Sequence, residues 1–214
     1  MYTPQHFEQH NEVSLFDLIE QYPFATLVTH SNSGIEANHI PLYLQENKDK
    51  KLLLGHIAKA NPLWKTVQEG AEALIIFNGP NCYISPNYYP SKQENGRVVP
   101  TWNYVAVHVK GNIKYFHDDE TKLEIVNRLT NIHETNQKVP WTVNDAPSIY
   151  IKKMLSAIVG IEIEVMGISG KWKVSQNKSV DNQLGIMSGL LSEADYNPQK
   201  LAAIIKTNQL KGIK

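Results

Sequence analysis

Short apolar runs separated by turn residues recur along much of the chain and predict β-strands. Residues 24–29 and 35–44 are joined by a Ser-Asn-Ser-Gly turn, which is typical of a β-hairpin. Residues 159–165 alternate apolar and acidic side chains, so one face of that strand is expected to be buried. Because most connections are short, the pattern favours an antiparallel barrel or a closed sheet. The other predicted strands are residues 52–56, 73–77, 82–85, 100–110 and 113–116, with turns at 78–81 and 111–112.

Helical spacing of apolar residues interrupts the strands in several places. Asp118 is the expected N-cap of one helix, and Pro147 is the expected start of another. The further predicted helices are residues 13–22, 180–191 and 198–209. The helix that follows Asp118 is expected to end near residue 133. Its buried face is expected to hold Leu123, Val126, Leu129 and Ile132.

These patterns predict a chain that is mainly β with peripheral helices. Residues 1–170 are expected to form a barrel domain with inserted helices. Residues 171–214 are expected to form a C-terminal helical arm of the same domain, packed on the barrel or on a partner subunit.

Residues 52–64 combine an apolar strand with the start of a helix. Asn61 followed by Pro62 is a strong helix-start signal, and the helix is expected to run to a stop at residues 69–70. Free backbone N–H groups at such a start attract phosphate, and Lys59 could add a positive charge. The alternative is an ordinary strand-to-helix connection with a surface lysine, and spacing alone leaves both interpretations open.

Composition narrows the class of protein. The 214 residues include 21 basic and 21 acidic side chains, so the formal net charge is zero. This disfavours an extended nucleic-acid surface, although it leaves room for a local basic patch. Cys82 is the single cysteine, which excludes an intrachain disulfide and a cysteine-based zinc site and fits a reducing cytoplasm. We find neither a signal peptide nor an apolar run approaching the ~18 residues of a membrane span.

Polar side chains interrupt several strands that should be apolar. Asn38 and His39 precede Pro41, His56 ends a strand, and similar amides occur in the pairs Trp102-Asn103 and Gln176-Asn177. Amide and imidazole groups can hydrogen-bond the edge of a flat heterocycle, while aromatic rings and proline cover its faces. Together with the helix start at Asn61, the set suits a phosphorylated planar cofactor. The alternative is that each is a satisfied buried polar residue or a turn residue.

Sequence motifs of well-known catalytic sites are missing. The chain contains no G-x-S-x-G, H-E-x-x-H or Walker sequence, and no G-x-G-x-x-G fingerprint of dinucleotide-binding folds. Cys82 lies in an apolar strand and is expected to be a small core residue. We therefore predict no catalytic side chain and no metal ligand.

Four motifs taken together resemble the PaiB family of FMN-binding negative transcriptional regulators, and the resemblance covers essentially the whole chain. The motifs are Gly-His-Ile-Ala-Lys-Ala-Asn-Pro at 55–62, Tyr-Ile-Ser-Pro at 83–86 with Tyr88, Val-Pro-Thr-Trp-Asn-Tyr at 99–104 with Val107-His108, and Ser-Gln-Asn-Lys at 175–178 with Asp181. The resemblance implies an antiparallel FMN-binding split β-barrel, related to the pyridoxamine-phosphate-oxidase-like flavoproteins. It also implies a homodimer with FMN at the subunit interface, and repression of sporulation and protease genes.

Carried over by position, the resemblance implies three groups of FMN-binding residues. The first lies along the flavin ring, the second surrounds the ribityl phosphate, and the third lines and closes the pocket from the same or the partner subunit. The first group is Asn38, His39, Ile40 and Pro41; the second is His56, Ile57, Ala58, Lys59 and Asn61; the third is Trp102, Asn103, Gln176 and Asn177.

Three functions are compatible with the sequence. The first is an FMN-binding regulator that acts on genes either by binding DNA itself or by an indirect route. The zero net charge and the missing helix-turn-helix signature disfavour direct DNA binding. The second is an FMN-dependent oxidoreductase acting on an unknown small substrate, because bound flavin supplies redox chemistry without a catalytic side chain. The third is a barrel that has lost flavin and acts through protein contacts alone.

Overall fold

The computed structural model describes residues 1–47 and 50–212, and its centre is an eight-stranded antiparallel sheet. The strands are β1 (Glu8–Gln9), β2 (Phe24–Ser31), β3 (Gly34–Pro41), β4 (Tyr43–Asn47), β5 (Lys50–Ala58), β6 (Glu72–Ile84), β7 (Thr101–Phe116) and β8 (Ile158–Lys173). They are ordered β3-β2-β6-β7-β8-β5-β4, with β1 paired to β8. Within the described residues the sheet is not closed on itself, since β3 and β4 form its two ends. The predicted mainly β class is confirmed.

Helices occupy the connections between strands and the C-terminal part of the chain. Short 3₁₀ helices cover Gln5–Phe7, Pro86–Tyr88 and Val143–Asp145. The α-helices are α1 (Glu12–Gln21), α2 (Leu63–Thr66), α3 (Lys92–Asn95), α4 (Asp119–Glu134), α5 (Ser148–Ser156), α6 (Val180–Leu191) and α7 (Tyr196–Gly212).

Residue contacts divide the chain into two compact units. We call residues 1–15, 78–107 and 169–212 the terminal unit, because it includes the first and last described residues. We call residues 16–77 and 108–168 the central unit. The division into a barrel at residues 1–170 and an arm at residues 171–214 stays a prediction. Residues 48–49 of the predicted barrel and residues 213–214 of the predicted arm lie outside the described residues.

The turn predicted at residues 78–81 is wrong, because β6 runs without interruption from Glu72 to Ile84. Asn-Gly-Pro-Asn is a strong turn signal, but here the residues stay extended. The burial pattern changes phase at this point, since Gly79 and its neighbour Pro80 are both buried. An irregularity in the strand therefore accommodates these residues without reversing the chain.

The break predicted at residues 111–112 is also wrong, because β7 continues through it to Phe116. A Cβ atom at Gly111 would lie 2.3 Å from the carbonyl oxygen of Glu164, a distance that no real side chain tolerates. Glycine is needed here for close approach of two strands and not for a turn.

Two helices differ from the prediction in length or in buried face. Helix α2 ends at Thr66 after four residues and does not reach residues 69–70. In α4 the Asp118 cap is confirmed, since its carboxylate accepts a hydrogen bond from the Thr121 N–H. The buried face is shifted, however, and Ile132 is exposed. The residues that α4 buries are Lys122, Ile125 and Leu129.

The buried Lys122 explains the shift of the α4 face. Its ammonium group donates to the carbonyl oxygen of Leu155 at 2.8 Å and lies 2.9 Å from a carboxylate oxygen of Asp119. With the charge paired in this way, the aliphatic stem can be buried like an apolar side chain. Apolar periodicity cannot predict such a position.

Candidate functional site

Two strands of the central unit bring the first two groups of predicted residues together. Gly55 of β5 allows this, because a Cβ atom there would lie 2.6 Å from the carbonyl oxygen of Pro41. Beyond the end of β5, the Asn61 side-chain amide donates to Asn38 Oδ1 over 2.6 Å. Residues 38–41 and 56–61 therefore lie next to each other, and their assignment to one flavin site stays a prediction.

Two buried polar atoms in this site have no hydrogen-bond partner among the described residues. They are Asn38 Nδ2 and His56 Nδ1. The residue opposite His56 on β8 is Gly160, which has no side chain to offer. Leaving a buried donor or acceptor unpaired costs about 1–3 kcal/mol, so native proteins rarely do it without a ligand, an ion or a water at the position.

The imidazole of His56 is neutral around pH 7, because burial lowers its pKa below the ordinary value of 6.5. A neutral imidazole has one N–H donor and one acceptor nitrogen, so it can pair with either kind of group on a ligand. The flat edge of a flavin ring presents both kinds of group.

Residues 38–41 do not all face the same way, since successive side chains of a strand alternate. His39 is exposed and bonds through Nδ1 to the hydroxyl of Thr26, its cross-strand neighbour, over 3.1 Å. Asn38 and Ile40 share the opposite face of β3, and Ile40 is buried. A ring lying against one face of β3 would contact Asn38 and Ile40, or His39 and Pro41, but not all four.

The backbone N–H groups at residues 58–63 that are predicted to be free for a phosphate are mostly hydrogen-bonded within the protein. The N–H of Lys59 donates to Ala157 O over 2.7 Å, and the N–H of Asn61 donates to Ala58 O over 2.9 Å. The N–H of Leu63 donates to Asn61 Oδ1 over 3.0 Å, although the N-cap of α2 is Pro62 and not Asn61 as predicted.

This pattern weakens the phosphate prediction at that position. Pro62 has no N–H, and α2 has only four residues, which is too short for a substantial dipole. What the loop offers a phosphate is the exposed ammonium group of Lys59.

The third predicted group lies in the terminal unit, where its amides are mostly used within the protein. Asn103 is buried; its Nδ2 donates to Ser175 Oγ over 2.9 Å, and its Oδ1 lies 3.2 Å from the same hydroxyl. Gln176 accepts from the Val174 N–H over 2.8 Å and donates to the Trp172 carbonyl.

The two other members of this group are available to a ligand. The Trp102 side chain is 50% exposed, and its indole N–H donates to Asn81 Oδ1 over 3.2 Å. Asn177 is exposed in the turn that follows β8.

Comparison with known proteins identifies the family. The sequence model of an FMN-binding domain matches residues 1–167. The chain is also 30% identical over 213 residues to the protease synthase and sporulation protein PAI 2 of Bacillus subtilis (strain 168), and the match covers 100% of both chains. The chain belongs to the PaiB family of FMN-binding proteins. An uncharacterised protein of Emericella nidulans is 33% identical over 211 residues, covering 82% of this chain and 84% of that protein.

Solved structures confirm the predicted split-barrel fold. The FAD and heme binding protein from Mycobacterium smegmatis aligns with a TM-score of 0.59 at 16% identity, covering 83% of this chain and 78% of that one. A flavocytochrome from Azotobacter vinelandii aligns with a TM-score of 0.54 at 11% identity, covering 80% and 72%. At these identities the likeness shows the fold alone.

The donor set of the central unit fits the FMN that the PaiB family binds. Two unpaired buried nitrogens, a proline and a free lysine ammonium are groups that a flavin ring and its phosphate would use. Within the described residues, no helix is long and apolar enough to cross a membrane, and no cluster of metal-binding side chains occurs.

Proposed function

We propose that this chain is a PaiB-type regulator that binds FMN in the central unit and represses protease and sporulation genes. In the proposed complex, Asn38 and Ile40 on one face of β3, together with residues 56–61, contact the flavin. The relative from Bacillus subtilis is named for protease synthesis and sporulation. We further propose that the regulator acts in the cytoplasm as a homodimer with FMN at the subunit interface.

The observation that supports the FMN site best is the pair of unpaired nitrogens. Asn38 Nδ2 and His56 Nδ1 are buried, come from different strands and belong to a site joined by the bond between Asn61 and Asn38. Pairing both atoms with the ring edge would recover the about 1–3 kcal/mol that each costs unpaired. The third group belongs to the terminal unit, where Trp102 and Asn177 are its exposed members.

A gene-expression experiment tests the regulatory part of the proposal. Deleting the gene in its own host should raise transcription from protease and sporulation promoters, measured with reporter fusions. Restoring the wild-type gene should reverse the rise, and a His56→Leu variant that is folded but binds FMN poorly shows whether flavin is needed. Unchanged reporters after deletion would contradict the regulatory role.

The purified protein separates regulation from enzymatic activity. FMN bound without turnover, together with the reporter response, supports a regulator. Sustained oxidation of a reduced nicotinamide through the bound flavin would instead support the oxidoreductase. A colourless protein that does not quench FMN fluorescence would contradict both. Retention of promoter DNA that falls with salt would show that repression is direct, since phosphate contacts are salt-sensitive.

A further inference from the structure

A cavity of about 180 Å³ in the terminal unit is lined by residues from four separate segments of the chain, and none of the lining residues is acidic. Sites for drug-sized ligands measure roughly 300–1,000 Å³, whereas one water needs only ~10–15 Å³. The cavity therefore has room for a small ion or molecule but not for a whole flavin. The polar residues on its wall include Tyr89, Lys173, Asn177 and Lys178.

Tyr89 is a buried wall residue with an unused hydroxyl group. The side chain is 3% exposed, and the hydroxyl has no hydrogen-bond partner anywhere in residues 1–47 or 50–212. Burial raises the pKa of Tyr89, so the hydroxyl keeps its proton and remains a donor. A buried donor without a partner indicates that something outside the chain accepts from it.

Positive charge is concentrated at the same cavity. Lys173 Nζ donates to Thr101 Oγ1 and to the Trp102 carbonyl, each over 2.6 Å. The third N–H group of this ammonium can therefore donate to a ligand. Lys178 Nζ lies 5.7 Å from the centre of the Tyr89 ring. No carboxylate of the described chain forms an ion pair with either lysine. In a chain with zero net charge, this local excess of positive charge calls for an anionic partner.

The turn that presents Lys178 is held in place before any ligand arrives. Ser175 is the one non-glycine residue with positive φ, at 67°, in the part of the chain that the structure describes. Its hydroxyl bonds to Asn103, the Lys178 N–H donates to Ser175 O over 3.0 Å, and Gln183 Nε2 donates to Lys178 O over 2.8 Å. A fixed turn lowers the entropy cost of ordering the lysine on binding.

We propose that this cavity binds a small oxyanion of the phosphate class, with Lys173, Lys178 and the Tyr89 hydroxyl as donors. Lysine is a common point-charge partner of phosphate, and hydrogen bonds to a charged group are stronger than neutral ones. The proposal does not rest on the function proposed for the central unit, because all the residues involved belong to the terminal unit.

Inorganic phosphate is the probe for the first test. Phosphate should raise the melting temperature of the full-length protein at constant ionic strength, and calorimetric titration should give its affinity. Lys178→Met should weaken phosphate binding roughly tenfold or more, because it removes a charge-assisted contact. Tyr89→Phe should weaken it several-fold while leaving the melting temperature without phosphate unchanged or higher, since the lost hydroxyl has no partner to lose.

The matched control is Lys200→Met. Lys200 lies 5.2 Å from the centre of the Tyr196 ring, so it repeats the lysine–tyrosine pair on a helix outside the cavity. It should leave phosphate affinity unchanged. If wild-type protein shows no phosphate binding, or if Lys178→Met and Lys200→Met behave alike, the proposal is wrong.

A second titration identifies where the oxyanion comes from. If Lys178→Met weakens the binding of FMN but not the binding of riboflavin, the site recognises the phosphate group of the cofactor. If the substitution weakens the binding of inorganic phosphate and leaves the affinities for FMN and riboflavin unchanged, the site recognises a free anion. His56→Leu, which lies in the central unit, should leave binding of inorganic phosphate unchanged in the second case.

Discussion

Two asparagines on strands illustrate opposite uses of a polar side chain in this protein. Asn103 is 1% exposed in the terminal unit, and both ends of its amide bond to Ser175. Asn38 in the central unit accepts one bond from Asn61, and its amide nitrogen has no partner in the described chain. The first amide stabilises the fold, whereas the second is available to a ligand.

The same contrast holds between Gln176 and His56. Gln176 uses both ends of its amide to bond the backbone of Val174 and Trp172, so it stabilises the turn after β8. His56 is half-buried, and its Nδ1 atom is unpaired in the structure as described. The lesson is that residue type and strand position are not enough to predict ligand contact; the state of each hydrogen-bonding atom decides it.

The largest expected effect concerns the Asn103 amide. Asn103→Ala should lower the free energy of unfolding by about 2–4 kcal/mol, because it leaves the buried Ser175 hydroxyl unpaired and opens a small cavity. Urea denaturation measures this. Asn38→Ala is the comparison variant and should change the same quantity by less than about 1 kcal/mol. Equal losses in the two variants would remove the distinction between them.

A smaller effect is expected for Gln176. Gln176→Ala removes two side-chain bonds to the backbone and should cost about 1–2 kcal/mol of stability. FMN affinity at a temperature where the variant is folded should stay close to the wild-type value. A large loss of FMN affinity without a loss of stability would show that Gln176 contacts the flavin directly.

The pH dependence of stability tests the environment of His56. Burial lowers its folded pKa below 6.5, so as the pH falls through 6.5 the unfolded chain takes up the proton first. Stability should therefore be complete above pH 6.5 and decrease below it, toward the folded pKa. His56→Gln should reduce that decrease, and substitution of the exposed His133 serves as the control. An unchanged pH profile would mean that His56 is hydrated in the folded protein.

The smallest effect is expected for Lys59. Lys59→Ala should weaken FMN binding by about threefold or less, and mainly at low salt, because an exposed charge is screened by water and ions. Fluorescence titrations at two salt concentrations measure this. A loss of tenfold or more would restore Lys59 and its loop as the main phosphate site.

Periodicity predicts most of the architecture because burial on one face repeats at fixed spacing. The hairpin of β2 and β3, helices α1, α4 and α6, and the alternating start of β8 all follow from it. It fails where a glycine serves close approach, as at Gly111, and where a buried charge replaces an apolar residue, as at Lys122. Neither signal is visible without the neighbouring strand or helix.

The candidate site is less predictable from sequence. The resemblance assigns Asn38 and Asn61 to one flavin site, and the structure adds that their side chains hydrogen-bond to each other. The Lys59 N–H is used in a tertiary contact and the Asn61 N–H in the local turn. The motif therefore predicts more free N–H groups for a phosphate than the structure has. Tyr89 comes from a different segment of the chain than Lys173 and Lys178, and no spacing rule connects it to them.

FMN titration of three variants tests the central claim most directly. Asn38→Ala and His56→Leu each remove one unpaired nitrogen of the proposed site, while Thr29→Val removes an unpaired buried hydroxyl elsewhere in the central unit. We expect FMN affinity to fall about five- to tenfold in each of the first two variants and to stay within about twofold of wild type in the third. Wild-type affinity in both Asn38→Ala and His56→Leu would show that FMN binds somewhere else.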